Sequence, residues 1–461
     1  MENPSCPETH NEHGTAGLQV VHLDDFSAPW TLPPDEQEAH ARRFSFLFID
    51  RTRCRQGGIG WLLYGEDVWG KPVAVKVMDD PDTARDTTSQ PATRTDDMDR
   101  AVAHEAFMRE YQTLRSLSGI RGFPKLYGLG RLDGRDAIVM EWIEGETLQS
   151  ALRHLFVDEA GRLSPLTAAQ LGRDLFALLA RMDTLENSVV HRDISTSNIM
   201  IDTSRHTLEE QVDLGHFDLK LVDFGSAMLP DQRASLTQKY GVLRGATPEF
   251  APPEMLTEDV AGIDTLRKNP AVDVYAAASV LYLLLDGRTP FDLERGGRKR
   301  SYYLQKTGRR PRSLMGAHGA SASIRATVGH EASVARLVEE AVAHCGRRPS
   351  DRELARVLTA VDGQLDDLVL ACLDPMQACR PTAREMERTL SSFVDSYGAN
   401  IRNGLWGNPL SSRASNATRP RGRVGRARRA GRSRIIAGGT VALAIVGVSA
   451  LIRLACRTPR T

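Results

Sequence analysis

The sequence predicts an α+β fold followed by a membrane-crossing helix, and three observations carry that expectation. Strand-like runs come early: Pro72-Val73-Ala74-Val75-Lys76-Val77 alternates faces among β-branched residues, and Ala137-Ile138-Val139-Met140 is a second apolar run of strand length. Helical spacing marks longer stretches within 101–117, 167–182 and 274–285. Near the end, Ile435 to Ile452 is an uncharged run of eighteen residues. As a helix it would span roughly 27 Å, close to the hydrocarbon thickness of a bilayer.

In chain order, residues 1–42 are polar and acidic, lack the apolar core of a signal peptide, and read as a flexible leader. The strand at 72–77 carries one lysine, Lys76. Between Met78 and Arg100 a segment rich in Asp, Thr and Arg has nothing to bury and reads as a long loop. A helix is expected from Ala101 to Leu117, because Phe107, Tyr111, Leu114 and Leu117 recur at four and three residues. Thr167 is the expected cap of the next helix, which carries Leu171, Leu175, Leu178, Leu179 and Met182 on one face. Val274 to Leu285 is apolar nearly all round, as a helix buried on every side must be. Two excursions interrupt this pattern. An acidic, polar stretch around Asp202 to Asp218 is expected as a lengthened hairpin, and a stretch from about Leu293 to Pro349, rich in Arg, Gly, Ser and Ala, as a partly ordered insert. Residues 396–434 read as a Gly/Arg linker to the apolar run, and 453–461 as a short tail.

With 461 residues, 41% of them hydrophobic, the chain can bury a sizeable core. Its formal net charge of zero hides an asymmetry. From Arg413 onward there are 12 Arg, no Lys and no acid, so the first 412 residues carry 47 basic against 59 acidic side chains. An acidic body argues against a nucleic-acid partner, and a basic tail suits anionic lipid. Six scattered cysteines without a CxxC pair fit free thiols in a reducing compartment. Cys6, His10 and His13 lack a nearby fourth ligand and read as a solvated tail.

The most specific signal runs from Val190 to Met200 and contains His191-Arg192-Asp193 and Asn198. About thirty residues later comes Asp223-Phe224-Gly225. An aspartate with an asparagine five positions on, plus a second aspartate in an Asp-Phe-Gly turn, supply what γ-phosphoryl transfer needs. One orients an acceptor hydroxyl, and the others offer oxygen ligands to Mg²⁺. Either triplet alone reads equally well as a turn with a surface ion pair. Lys76 upstream, and Gly245 to Glu254, Asp273-Val274-Tyr275, Gly287 to Phe291 and Cys379-Arg380-Pro381 downstream, decide between the two. From about Phe44 to about Val394 the chain resembles a Ser/Thr protein kinase of the eukaryotic-like type.

That resemblance implies a bilobal fold over 43–395, with a small β-rich N-lobe (about 43–140), a large helical C-lobe (about 146–395, with the insert at about 293–349) and a hinge at Glu141 to Gly145. It implies ATP and Mg²⁺ as cofactors and Ser/Thr hydroxyls of proteins as acceptors. Asp193, Lys76, Asn198 and Asp223 would be catalytic, with Asn198 and Asp223 the metal ligands. Gly57, Gly60, Leu62, Ala74, Lys76, Glu110, Met140, Glu141 and Ile143 would contact the nucleotide, Glu110 by holding Lys76, with Glu105 as its competitor. Glu254 and Arg380 match a buried structural ion pair. Arg192 would pair with a phosphorylated activation segment, which contains Ser235, Thr237, Tyr240 and Thr247.

Two positions depart from the family pattern. Arg55 stands where the first glycine of the phosphate loop belongs, and Ser195 stands where a lysine normally meets the γ-phosphate. Arg244 is a candidate substitute for that charge. A catalytically weak scaffold of the same fold, and a small-molecule phosphotransferase, are the competing readings. Nine arginines between Arg413 and Arg434, against three after the apolar run, place the kinase domain on the cytoplasmic side of a single-pass membrane protein. Membrane lipid, protein substrates and self-association in the membrane plane are the expected partners.

Overall fold

A computed structural model describes residues 17–57, 60–79, 94–155, 160–185, 188–228, 246–257, 263–293, 301–312, 314 and 332–411. The chain divides into two units, Met1–Arg419 and Pro420–Thr461, and every described residue lies in the first. The small lobe comprises β1 (Gln19–His22), β2 (Asp24–Ser27), α1 (Pro34–Phe44), β3 (Phe46–Gln56), β4 (Gly60–Glu66), β5 (Pro72–Met78), α2 (Arg94–Leu117), β6 (Leu126–Leu132) and β7 (Arg135–Glu141).

Strand alternation sorts this lobe into two faces. Val73, Val75 and Val77 of β5 join Leu63, Ala137 and Val139 in one apolar cluster. Ala74 lies on the opposite face, with Ile138, Met140, Phe107 and Leu114. The register Ala74↔Met140, Lys76↔Ile138 and Lys76↔Leu62 therefore aims Lys76 at the second face.

The sheet order is β1-β3-β4-β5-β7-β6-β2. Only Leu23 separates β1 from β2, yet β1 pairs with the edge strand β3 and β2 with the opposite edge strand β6. One short segment thus stitches both edges together and covers backbone groups that an open sheet would expose. Leu23 is buried in the apolar cluster, and its N–H donates to the Ser45 carbonyl at 2.7 Å. The helix α1 is secured by Phe44 stacked on Tyr127 at 4.6 Å and by Arg43 paired with buried Asp67 at 2.6 Å. The flexible leader expected over 1–42 is therefore structured from Gln19 onward. Its few apolar residues gave little periodicity to read, because the backbone does most of the pairing.

The large lobe comprises β8 (Gly145–Thr147), α3 (Leu148–Leu155), α4 (Pro165–Asp183), β9 (Ile199–Asp202), α5 (Leu208–Leu214), β10 (Leu219–Leu221), α6 (Asp264–Arg267), α7 (Ala271–Asp286), α8 (Tyr302–Gly308), α9 (Ala332–His344), α10 (Asp351–Asp362), α11 (Gln364–Cys372) and α12 (Ala383–Leu405). Its core forms where α4 packs against α7 and α12. Strands β10, β9 and β8 make a small antiparallel sheet beneath the cleft.

Several boundaries differ from expectation. The N-cap of α4 is Ser164, whose Oγ accepts from the Thr167 N–H at 3.1 Å, with Pro165 at the first helical position. The excursion at 202–218 joins β9 to its antiparallel partner β10 as the expected lengthened hairpin, but its connection holds a helix, α5, which a Thr207–Glu210 capping box begins and Gly215 ends at φ 64°. The helix α2 starts at Arg94, inside the expected loop, and residues 80–93 lie outside the described residues. The insert contributes α8 and α9, while 294–300 and 315–331 lie outside the description. The linker expected from 396 is helical to Leu405, and Asn400 then accepts from Ser411 N at 2.9 Å and Oγ at 2.7 Å. Among the described residues no helix is long and apolar enough to cross a membrane; the expected span at 435–452 lies outside them.

Candidate active site

Lys76 is buried on β5, and its Nζ lies 2.7 and 2.6 Å from the two carboxylate oxygens of Glu110. Glu110 stands between Phe107 and Leu114 on the buried stripe of α2, so the same periodicity that seats the helix delivers the carboxylate. Glu105 instead pairs with Arg109 at 2.9 Å, which settles which glutamate holds Lys76. The Lys76 ammonium also reaches Asp223 Oδ1 at 3.2 Å. Burial works against this charge, but Glu110 and Asp223 outweigh it and raise the lysine above its usual pKa. Lys76 in turn holds the Asp223 carboxyl below the usual range.

Asp223 adopts φ 63°, a left-handed conformation unusual for a non-glycine residue, and opens a turn that buries Phe224. Arg192 is likewise left-handed at φ 70°. The loop around it is latched from below: the N–H groups of His191 and Arg192 donate to the carboxylate of buried Asp273 at 2.7 and 2.8 Å. His191 contacts the Val222 carbonyl at 3.1 Å, and its ring packs on Phe224 at 4.8 Å. Asn198 Nδ2 donates to the Asp193 carbonyl at 2.9 Å and to Asp193 Oδ2 at 3.0 Å. The Val222 N–H returns to the Asn198 carbonyl at 3.0 Å, which brings the two loops side by side. Thr247 donates to Asp193 Oδ1 through both its N–H and its Oγ1, each at 2.9 Å.

The glycine positions lie at the β3–β4 hairpin, where the Gly57 N–H donates to the Gly60 carbonyl at 2.7 Å. A Cβ on Gly60 would stand 2.1 Å from the Val77 carbonyl oxygen, so only glycine fits there. Arg55 is exposed on β3 opposite Leu62. The neighbouring Arg53 guanidinium stacks 3.8 Å from the Tyr64 ring centre and 5.4 Å from that of Trp142, and ties the hairpin to the hinge. At the hinge, Met140 and Ile143 are buried. The Glu141 side chain is engaged by Lys220 at 2.8 Å and by the Lys125 N–H at 3.1 Å, and its own N–H donates to the Lys125 carbonyl at 2.8 Å.

Ser195 is 1% exposed and shares a hydrogen bond with Ser197 at 2.8 Å. Arg244, Ser235, Thr237 and Tyr240 lie outside the described residues. Glu254 and Arg380 form a buried bidentate pair at 2.6 and 2.9 Å, with Gln377 adding a bond to Glu254. The donor set suits a hard divalent cation. Asp223 is held ionised and its side chain is 44% exposed, while Asn198 spends its amide nitrogen on Asp193 and so turns its oxygen elsewhere. No group of three or more His, Cys, Asp or Glu residues able to hold a metal occurs among the described residues.

The protein kinase domain family model matches residues 67–390, more than half of the chain. The chain belongs to the eukaryotic-like protein kinase family. Among its relatives, serine/threonine-protein kinase pkn2 of Myxococcus xanthus is 28% identical over 362 residues, covering 78% of this chain and 37% of that protein. Serine/threonine-protein kinase PkaB of Streptomyces coelicolor is 29% identical over 256 residues, 54% of this chain and 51% of its own. PrkC of Bacillus subtilis is 32% identical over 188 residues, 41% and 24% respectively. The chain thus spans about half or less of the length of these relatives. Beyond the kinase motifs, sequence reasoning missed the bond from Thr247 to Asp193 and the Arg53 stack. Neither has a local signal, since Asp193 and Thr247 are 54 residues apart and Arg53 meets its rings from a neighbouring strand and from the hinge.

Proposed function

We propose that the chain is an ATP-dependent protein kinase that transfers the γ-phosphoryl group to Ser/Thr hydroxyls of proteins. The observation that carries this is the cluster of buried Lys76 and Glu110 with the half-exposed Asp223. It joins small lobe to large lobe, with the Asp193, Asn198 and Thr247 network beside it. Lys76 would bind the α- and β-phosphates, and Asp193 would accept the hydrogen bond of the acceptor hydroxyl as it attacks in line. Asn198 and Asp223 would hold Mg²⁺, which when bound neutralises charge on the β- and γ-phosphates. The glycine hairpin and the hinge backbone would cover phosphates and adenine.

Membrane anchorage through 435–452, a cytoplasmic kinase domain, self-phosphorylation and a signalling role complete the proposal. The apolar run and its arginine asymmetry support the first two of these. Ser195 favours one alternative, a catalytically weak scaffold, because no lysine stands where charge on the γ-phosphate is usually met. Phosphopeptide mapping after incubation with Mg²⁺ and ATP tests the reading. Phosphoserine and phosphothreonine on a protein acceptor and on the chain itself are expected, and an absence of any phosphopeptide would favour the scaffold.

A further inference from the structure

Lys306, on α8, belongs to the excursion to which sequence reasoning gave no role. Its side chain is 1% exposed and runs inward, against the habit of lysine. Nζ donates to the Ala251 carbonyl at 2.6 Å and to the Glu249 carbonyl at 3.2 Å. Two ammonium protons are thereby satisfied by backbone. The rings of Tyr275 and Phe291, with centres 5.4 and 5.6 Å away, face the remaining charge. On its other side Tyr275 meets the Arg380 guanidinium at 4.9 Å, and Arg380 pairs with Glu254. Burial pulls Lys306 down to about 7, although Glu249 and Glu254 oppose the shift.

The carbonyls that Lys306 holds sit in the turn that begins at Thr247. The N–H groups of Phe250 and Ala251 donate to the Thr247 carbonyl at 3.0 and 2.9 Å, and Thr247 donates twice to Asp193 Oδ1. A continuous chain of hydrogen bonds therefore runs from Lys306 through Ala251 and Thr247 to Asp193. From this geometry we infer that Lys306 is a positioning residue for the protein acceptor, fastening the 247–251 turn so that the acceptor hydroxyl meets Asp193. The inference rests on the kinase reading and deepens it. Lys76, the hinge and the glycine hairpin lie outside this chain of bonds, so ATP affinity is expected to change far less than acceptor affinity.

The test is steady-state kinetics of the full chain with ATP and a protein acceptor, comparing wild type with Lys306→Met, a change of similar volume without a donor. The acceptor KM should rise about tenfold, the scale set by losing a charge-assisted hydrogen bond, while the ATP KM and acceptor-free ATP hydrolysis stay within about twofold. An unchanged acceptor KM would overturn the inference. So would equal losses in the ATP and acceptor constants with a lower melting temperature, which would make Lys306 merely structural. If Lys306→Met gives no soluble protein, Lys306→Gln, which keeps two N–H donors on a shorter, uncharged side chain, is read the same way with a smaller rise expected. An inactive wild type would overturn the kinase reading together with this one, whereas an active wild type with no KM change overturns this one alone.

Discussion

Lys76 sits between two carboxylates, and this arrangement decides the charge states of the cleft: the ammonium is kept protonated and Asp223 is kept ionised. The position that lacks charge is Ser195, buried against Ser197. Ser195→Lys would return a cation to the γ-phosphate, and its turnover is expected to rise several-fold in a phosphoryl-transfer assay at saturating ATP. An equal rate would show that charge at this position does not limit the reaction. Lys76, Asp193, Asn198 and Asp223 were legible because their chemistry is compressed into short contiguous motifs. Glu110 could be preferred over Glu105 because it shares helical spacing with Phe107 and Leu114. Thr247 had been noticed only as part of an activation segment and Lys306 not at all, since each acts on residues more than fifty positions away.

Among the elements, the helices with strong apolar stripes were legible in the sequence, and the errors fell at their ends and on polar pieces. The Ser164-Pro165 start of α4 and the Thr207-to-Glu210 box of α5 are cap signals written in the sequence itself. The β1–β2 segment had little signal to offer, because its pairing is decided by two distant sheet edges. The packing of α10 on α12 supplies a test of the helical body. Tyr397 OH donates to Asp362 Oδ1 at 3.0 Å, and burial raises the Asp362 carboxyl from 3.8 to about 7 despite that bond. A carboxyl with a raised folded pKa binds its proton more tightly folded than unfolded. Its contribution to stability therefore falls as pH climbs from the unfolded value towards about 7, and is constant above that. Asp362→Asn keeps an acceptor for Tyr397 and removes the charge. Its melting temperature should exceed that of wild type by several degrees at roughly pH 8, with the difference shrinking at roughly pH 4. Equal shifts at both pH values would contradict the assignment.

At the scale of the whole molecule, a folded kinase body is followed in sequence by a basic stretch and an apolar run. Asn400 is buried and holds both the N–H and the hydroxyl of Ser411, so a soluble form should end after Ser411. Ending before it orphans the buried amide oxygen of Asn400, at a cost of about 1–3 kcal/mol. The full chain is expected to stay with membranes through a high-salt wash, and the chain ended after Ser411 to be soluble with unchanged turnover. Release of the full chain by salt alone would argue for a peripheral attachment. The central claim is that the cleft moves a phosphoryl group under the direction of Asp193, and the most direct measurement is transfer from ATP to a protein acceptor by wild type and Asp193→Asn, with ATP affinity measured on the same preparations. The account predicts at least about a hundredfold loss of transfer with ATP affinity nearly unchanged, because the carboxylate orients the acceptor and does not hold the nucleotide. Wild-type turnover in Asp193→Asn would contradict it.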